Sequence, residues 1–122
     1  MKILIVDDEI HVANILAESV RLQGHEAFVA VSGKEGLALL DQRHPDAVFL
    51  DVVLPEMSGL EVLRRIRATH PTIPVIVITG HASVAQIEEA MRLGATDCVV
   101  KPFVLNQLNE ALAKLSRDQE GR

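Results

Sequence analysis

The chain has 122 residues, 48% of them apolar, and a formal net charge of −5. That is the length of one ordinary domain with enough apolar residues for a core of its own, which excludes a globally disordered chain. The acidic balance argues against bare DNA or an anionic membrane as a partner of this segment, and the single cysteine excludes an internal disulfide and fits a reducing compartment.

The first apolar run, Ile-Leu-Ile-Val at 3–6, leads straight into Asp7, Asp8 and Glu9. It is too short for a signal peptide or a membrane span, so a cytoplasmic location with no membrane contact is expected. Val12, Leu16 and Val20 then repeat at helical spacing up to Gly24, a natural helix stop. Residues 26–31 read as a second strand. Ser32 with Glu35 has capping-box spacing and opens a second helix with Leu37 and Leu40 inward. Pro45 precedes a third strand at 47–50, which runs into Asp51. Ser58 with Glu61 opens a third helix, with Val62, Leu63 and Ile66 toward the core. The fourth strand, 75–78, ends at Thr79 and Gly80. Ser83 with Gln86 opens a fourth helix with Val84, Ile87 and Met91 inward. The last strand, 98–100, ends at Lys101-Pro102, and Leu105, Leu108, Leu112 and Leu115 stripe a fifth helix. Residues 116–122 lose the stripe and read as a frayed tail or the start of a linker.

Five βα units in succession predict an α/β fold with a doubly wound parallel sheet. Continuous apolar strands suit a sheet covered on both faces. Ligands of such sheets bind outside the carboxyl ends of the strands. The run-ends therefore bring Asp7, Asp8, Asp51, Thr79 and Lys101 to one crevice. Three carboxylates together repel one another and raise their own pKa values unless a cation compensates. Mg²⁺ fits, because it takes hard oxygen ligands and keeps several waters. Asp51 is open to three roles: acid, ligand, or nucleophile that accepts a phosphoryl group. Lys101 and a metal supply positive charge for such a group, and Thr79 a hydroxyl donor. Taken singly, each of these residues has a plain structural reading: a solvated strand end, a helix cap or a turn residue. Their conjunction at successive strand ends argues for a site.

In order and spacing, these motifs resemble the receiver domain of two-component response regulators. Asp7-Asp8 is similar to the family's acidic pair. Asp51-Val-Val-Leu-Pro-Glu-Met-Ser-Gly59 is similar to its phosphoacceptor loop. Thr79 stands at the switch hydroxyl, and Gly94-Ala-Thr-Asp-Cys-Val-Val-Lys101-Pro-Phe103 at its last strand. The resemblance implies a flavodoxin-like fold with strand order 2-1-3-4-5 and five helices. It implies a receiver domain over residues 1–115. It implies phosphoryl transfer to Asp51 from a phosphohistidine of a sensor histidine kinase or a histidine phosphotransfer protein. Asp8 would hold Mg²⁺ most directly, Asp7 mainly through water, with Asp51 and the main-chain carbonyl of Val53 as further ligands. Lys101 would pair with Asp51 or its phosphate, Thr79 would move toward the phosphate, and the Lys101-Pro102 peptide would be cis. The output would be a downstream domain or a homodimer, reached through the face of helix 4, strand 5 and helix 5. Such a domain signals; it catalyses only its own phosphorylation and slow dephosphorylation.

Two departures from the family pattern matter. Cys98 occupies the position of a switch aromatic, and the chain has neither Tyr nor Trp, so no ring can rotate there. Its plain reading is a small strand residue. Val53 replaces a side chain that is polar in many relatives, which alters how water approaches the phosphoryl group. With His81 it is expected at the rim of the site. Two other classes fit the residues less well. An aspartate-nucleophile phosphatase pairs its nucleophile with a second aspartate two residues on, where this chain has Val53. A nucleotide- or flavin-binding domain cradles phosphate after strand one, where this chain has Asp7, Asp8 and Glu9. Ile78-Thr-Gly-His-Ala-Ser83 is similar to receivers joined to AAA+ transcriptional activators, so both a standalone receiver and the front of a longer regulator remain open.

Overall fold

A computed structural model describes residues 1–80, 82–101, 110 and 112–115. The elements in chain order are β1 (Lys2–Val6), α1 (Ile10–Leu22), β2 (Glu26–Ala30), α2 (Gly33–Arg43), β3 (Ala47–Asp51), α3 (Gly59–Thr69), β4 (Val75–Thr79), α4 (Val84–Arg92) and β5 (Asp97–Val100). The chain is helical again at 110 and 112–115, the described part of the fifth helix. The five strands form one parallel sheet, in the order β2-β1-β3-β4-β5 that the family resemblance implies.

Strand side chains alternate between two cores, because successive residues of a strand point to opposite faces. Ile3, Ile5, Ala47, Phe49, Ile76 and Ile78 face α1 and the fifth helix, meeting Leu16, Val20, Leu112 and Leu115. Leu4, Val6, Val48, Leu50, Val75 and Val77 face the opposite side, meeting Leu40, Val62, Leu63, Ile66 and Ala90 of α2, α3 and α4. Burial on both faces is why the runs are apolar throughout.

Register brings the strand ends level. Val6 pairs with Leu50, Asp51 with Ile78, and Thr79 with Val100. The next residue along β1 is therefore Asp7, and the next beyond β5 is Lys101.

Two local expectations need correction. α4 does not turn Val84, Ile87 and Met91 inward. Val84 is 72% and Met91 44% exposed, Ile87 is half-buried, and Ala90 is the buried residue of the helix. Ala90 joins the core that α3 forms with the sheet, and the larger apolar residues of the helix lie outside that core. Ser58 does not cap α3 by the expected pattern either. Its hydroxyl accepts from the Leu60 N–H at 3.1 Å, while Glu61 pairs with Arg64 and Arg65. The box at Ser83 and Gln86 is complete in both directions. The expectations on Leu105, Leu108, the Lys101-Pro102 peptide, His81 and the 116–122 tail fall outside the described residues.

Candidate functional site

Each site residue is delivered by a strand end. β1 lies between β2 and β3 and is covered on both faces, so the chain leaving it carries Asp7 into a wholly buried position. Asp7 Oδ1 accepts the Glu9 N–H at 2.9 Å. Asp8 follows on the exposed side. Asp51, the last residue of β3, is also buried. Its Oδ1 accepts the Val53 N–H at 3.0 Å, and its Oδ2 lies 3.0 Å from Lys101 Nζ. Lys101 reaches this point from the end of β5 with its aliphatic stem against Gly80, where an added Cβ would stand 3.0 Å from Lys101 Cβ.

The Lys101 ammonium gathers three carboxylates: Asp7 Oδ2 at 2.8 Å, Asp51 Oδ2 at 3.0 Å and Glu9 Oε1 at 3.1 Å. Burial alone would lower its pKa, but the Asp7, Asp51 and Glu9 carboxylates around it outweigh burial and hold it well above the ordinary lysine value. The Asp51 pKa is raised as well, which for an acid disfavours the charged form. Its desolvation outweighs the Val53 N–H and the Lys101 ammonium, so its carboxyl sits above the usual carboxylate range. The site thus holds one acid that resists ionisation beside a cation that is always charged.

One cation does not satisfy this cluster. Oxygens of Asp7, Asp8 and Asp51 all lie within 4.8 Å of one another. Asp7 Oδ2 is within ion-pair distance of Lys101, yet among the described residues it accepts no hydrogen bond. The oxygen is electrostatically compensated by the ammonium and still has a lone pair unfilled. A buried carboxylate oxygen in that condition, facing two more carboxylates, is a donor set suited to a hard divalent ion.

Thr79, the last residue of β4, is buried, and its Oγ1 accepts the Ala82 N–H at 3.2 Å. That bond ties the strand end to the loop that opens α4, one residue before the Ser83 cap. The loop after Asp51 is tight. Met57 N–H bonds Pro55 O at 2.6 Å around Glu56, which adopts a left-handed φ of 64°. Gly59 N–H bonds Val52 O at 2.8 Å and returns the chain against β3.

The family model for the response regulator receiver domain matches residues 3–113. The chain belongs to the response regulator receiver family. It is 44% identical over 108 residues to the "Regulatory protein AtoC" of Escherichia coli (strain K12), a match covering 88% of this chain and 23% of AtoC. It is 34% identical over 113 residues to the "Sporulation initiation phosphotransferase F" of Bacillus subtilis (strain 168), covering 93% of this chain and 91% of that protein. The solved receiver domain of NtrX from Brucella abortus superposes with a TM-score of 0.87 at 35% identity, covering 93% of this chain and 96% of that one. A CheY-like receiver from Methanospirillum hungatei JF-1 gives 0.91 at 27%, covering 99% and 98%. The chain spans about a quarter of AtoC and 51% of the similar regulator MprA.

In this receiver, the sequence-predicted Asp7, Asp8, Asp51, Thr79 and Lys101 all converge at the carboxyl edge of the sheet. Val53 joins them through its main chain, with an exposed side chain beside the acceptor. Glu9 is the residue sequence reasoning missed as a site member. The signal was its place directly after the acidic pair, but its partner lies 92 residues away. Cys98 is half-buried among the α2–α4 core residues, and burial together with Asp97 pushes its thiol pKa up. Among the described residues no helix is long and apolar enough to cross a membrane.

Proposed function

We propose that this receiver domain takes a phosphoryl group onto Asp51 from a phosphohistidine of a sensor histidine kinase or a histidine phosphotransfer protein. The P–N bond of the donor breaks as a bond forms from phosphorus to an Asp51 oxygen, and the imidazole leaves. The observation that carries this reading is the setting of Asp51. One oxygen is oriented by the Val53 N–H, the other touches the Lys101 ammonium, and Asp7 and Asp8 stand beside it. Phosphoryl transfer demands this kind of positioning and charge stabilisation rather than a complex set of proton carriers.

Mg²⁺ is the ion the donor set fits. Asp7, Asp8 and Asp51 would hold it, with the main-chain carbonyl of Val53 as a further oxygen, and when bound it neutralises charge on the phosphoryl oxygens. Lys101, already against Asp51, would supply a second positive charge to the same oxygens. Thr79 reads the result. For its hydroxyl to turn toward a phosphoryl oxygen it gives up the Ala82 N–H, which loosens the loop at the start of α4. α4 is lightly held on the sheet, and Val84, Met91 and Val100 are already exposed. A change there has a ready apolar surface to act through. The α4–β5–fifth-helix face is accordingly the reading for contact with an output domain or a second copy. Residues 1–115 form the signalling unit, with 116–122 as tail or linker, and the setting is cytoplasmic. Similarity to AtoC favours a regulator that carries a further output region; similarity to the sporulation phosphotransferase favours passing the phosphoryl group onward.

Acetyl phosphate with Mg²⁺ should add one phosphoryl mass to the wild type and none to Asp51→Asn. An undiminished mass gain in Asp51→Asn would remove Asp51 from the acceptor role.

A further inference from the structure

We infer that Arg67 is a positioning residue for the switch: its guanidinium holds the carboxyl end of α4, so that a change at Thr79 swings the helix about that end instead of shifting it whole. The inference rests on Asp51 being the phosphoacceptor and Thr79 its reader. α4 has 9 residues, so it is about 13 Å long and moves as one body. Its two ends lie near the two ends of β4, and they are held in different ways.

The carboxyl end is tied to the rest of the fold. Ala90 and Ala95 are buried. Gly94 takes a left-handed φ of 102° and turns the chain out of the helix, with the Gly94 and Ala95 N–H groups bonded back to Met91 O and Ala90 O. That turn presents Gly94 O to Arg67, whose Nε and Nη2 donate to it at 2.9 and 2.7 Å. Nη1 of the same guanidinium donates to His70 O and Ile73 O, in the segment between α3 and β4. One planar fork thus joins the end of α4 to a different connection of the chain. Thr96 then fastens the chain to the start of β4: its N–H donates to Val75 O at 2.7 Å, and its Oγ1 accepts the Val75 N–H at 3.0 Å. At the amino end, Ser83, Val84 and Ala85 are exposed, and Ser83 and Gln86 cap each other within the helix. A bond from the Ala82 N–H to Thr79 Oγ1 joins this end to β4, and Thr79 gives that bond up when it turns to a phosphoryl oxygen. A stiff helix released at one end and clamped at the other rotates about the clamp. Exposed Val84 then travels farthest, and Met91 little.

Hydrogen exchange of single amides is followed by NMR on the full chain with Mg²⁺, before and after adding beryllofluoride, which imitates a phosphoryl group. In wild type, exchange at residues 82–87 should rise about fivefold, the scale of one lost hydrogen bond, while residues 93–95 stay within about twofold. Thr96, bonded directly to β4, is the reference amide. In Arg67→Ala the rise caused by beryllofluoride should extend to residues 93–95 at about the same size. Arg67→Lys keeps the charge and loses the fork, and should show the same spread. Each variant is compared with itself, so a general loss of stability cancels, and an Arg67 that only stabilises the fold would leave the wild-type pattern in place. A rise confined to residues 82–87 in both variants overturns the inference. So does a wild-type rise that is even along residues 82–95 or absent at 82–87. Failure of the wild type to bind beryllofluoride strikes the phosphoacceptor reading itself, and this inference falls with it.

Discussion

Gly59 joins fold and function, and replacing it tests the geometry around Asp51. Gly59→Ala puts a Cβ 2.1 Å from the Asp51 carbonyl oxygen, 2.5 Å from Val52 Cα and 2.8 Å from Val52 C. Ordinary contact begins near 3.4 Å, so the first overlap exceeds one ångström. All three atoms are backbone, and none can rotate away. Overpacking against side chains costs about 1–3 kcal/mol, and a backbone clash belongs at or beyond the top of that range. The helix preference of Ala over Gly returns at most about 1 kcal/mol. The net loss is about 2 kcal/mol or more, or a melting point lower by roughly 8 °C for a domain of this size. Relief requires the start of α3 to move off β3, which breaks the Gly59 N–H bond to Val52 O and disturbs the loop carrying Val53. Gly59→Ala should therefore also weaken beryllofluoride binding. Gly36→Ala is the comparison: its Cβ would meet Val6 Cγ2 at 2.8 Å, a side-chain atom that can give, so its loss should be smaller. Calorimetry and urea melts read both variants. A Gly59→Ala melting point within about 2 °C of wild type would refute this reasoning.

Arg67 donates to Gly94 O at 2.9 and 2.7 Å, to His70 O at 3.1 Å and to Ile73 O at 2.6 Å, so Arg67→Ala should cost about 2 kcal/mol in urea melts and Arg67→Lys should recover little of it. Mg²⁺ at a hundred times its dissociation constant should add about 2.7 kcal/mol to wild-type stability, a response that Asp8→Ala should lose. Without metal, the raised Asp51 pKa means the folded state keeps a proton that the unfolded chain has released. Stability due to Asp51 therefore falls as pH rises upward from about 3.8, and Asp51→Asn should gain on wild type through that window in urea melts; a constant gap would contradict it. Cys98 should react with thiol reagents more slowly than free cysteine at neutral pH, and Asp97→Asn should speed it, because burial and then Asp97 hold the thiol protonated.

Much of the site was legible because a doubly covered parallel sheet leaves long apolar runs, and polarity reappears only where the strands end. Asp7, Asp51, Thr79 and Lys101 stand at those ends, and register does the rest. What stayed hidden has physical causes. Periodicity says which residues of α4 share a face but not how wide a surface that face meets, so Val84 and Met91 were expected inside. Ser58 and Glu61 have capping spacing, but Arg64 and Arg65 compete for Glu61, and Ser58 turns to Leu60. The Glu9–Lys101 pair joins the two ends of the chain, and no local pattern marks it.

The central claim is that Asp51 itself becomes the acyl phosphate. Borohydride reduces an aspartyl phosphate to homoserine. Wild-type protein treated with acetyl phosphate and Mg²⁺, then borohydride, should yield homoserine at position 51 on peptide sequencing by mass spectrometry, and only when both reagents were present. Homoserine at Asp7, Asp8 or any other acidic position, with Asp51 intact, would contradict the account.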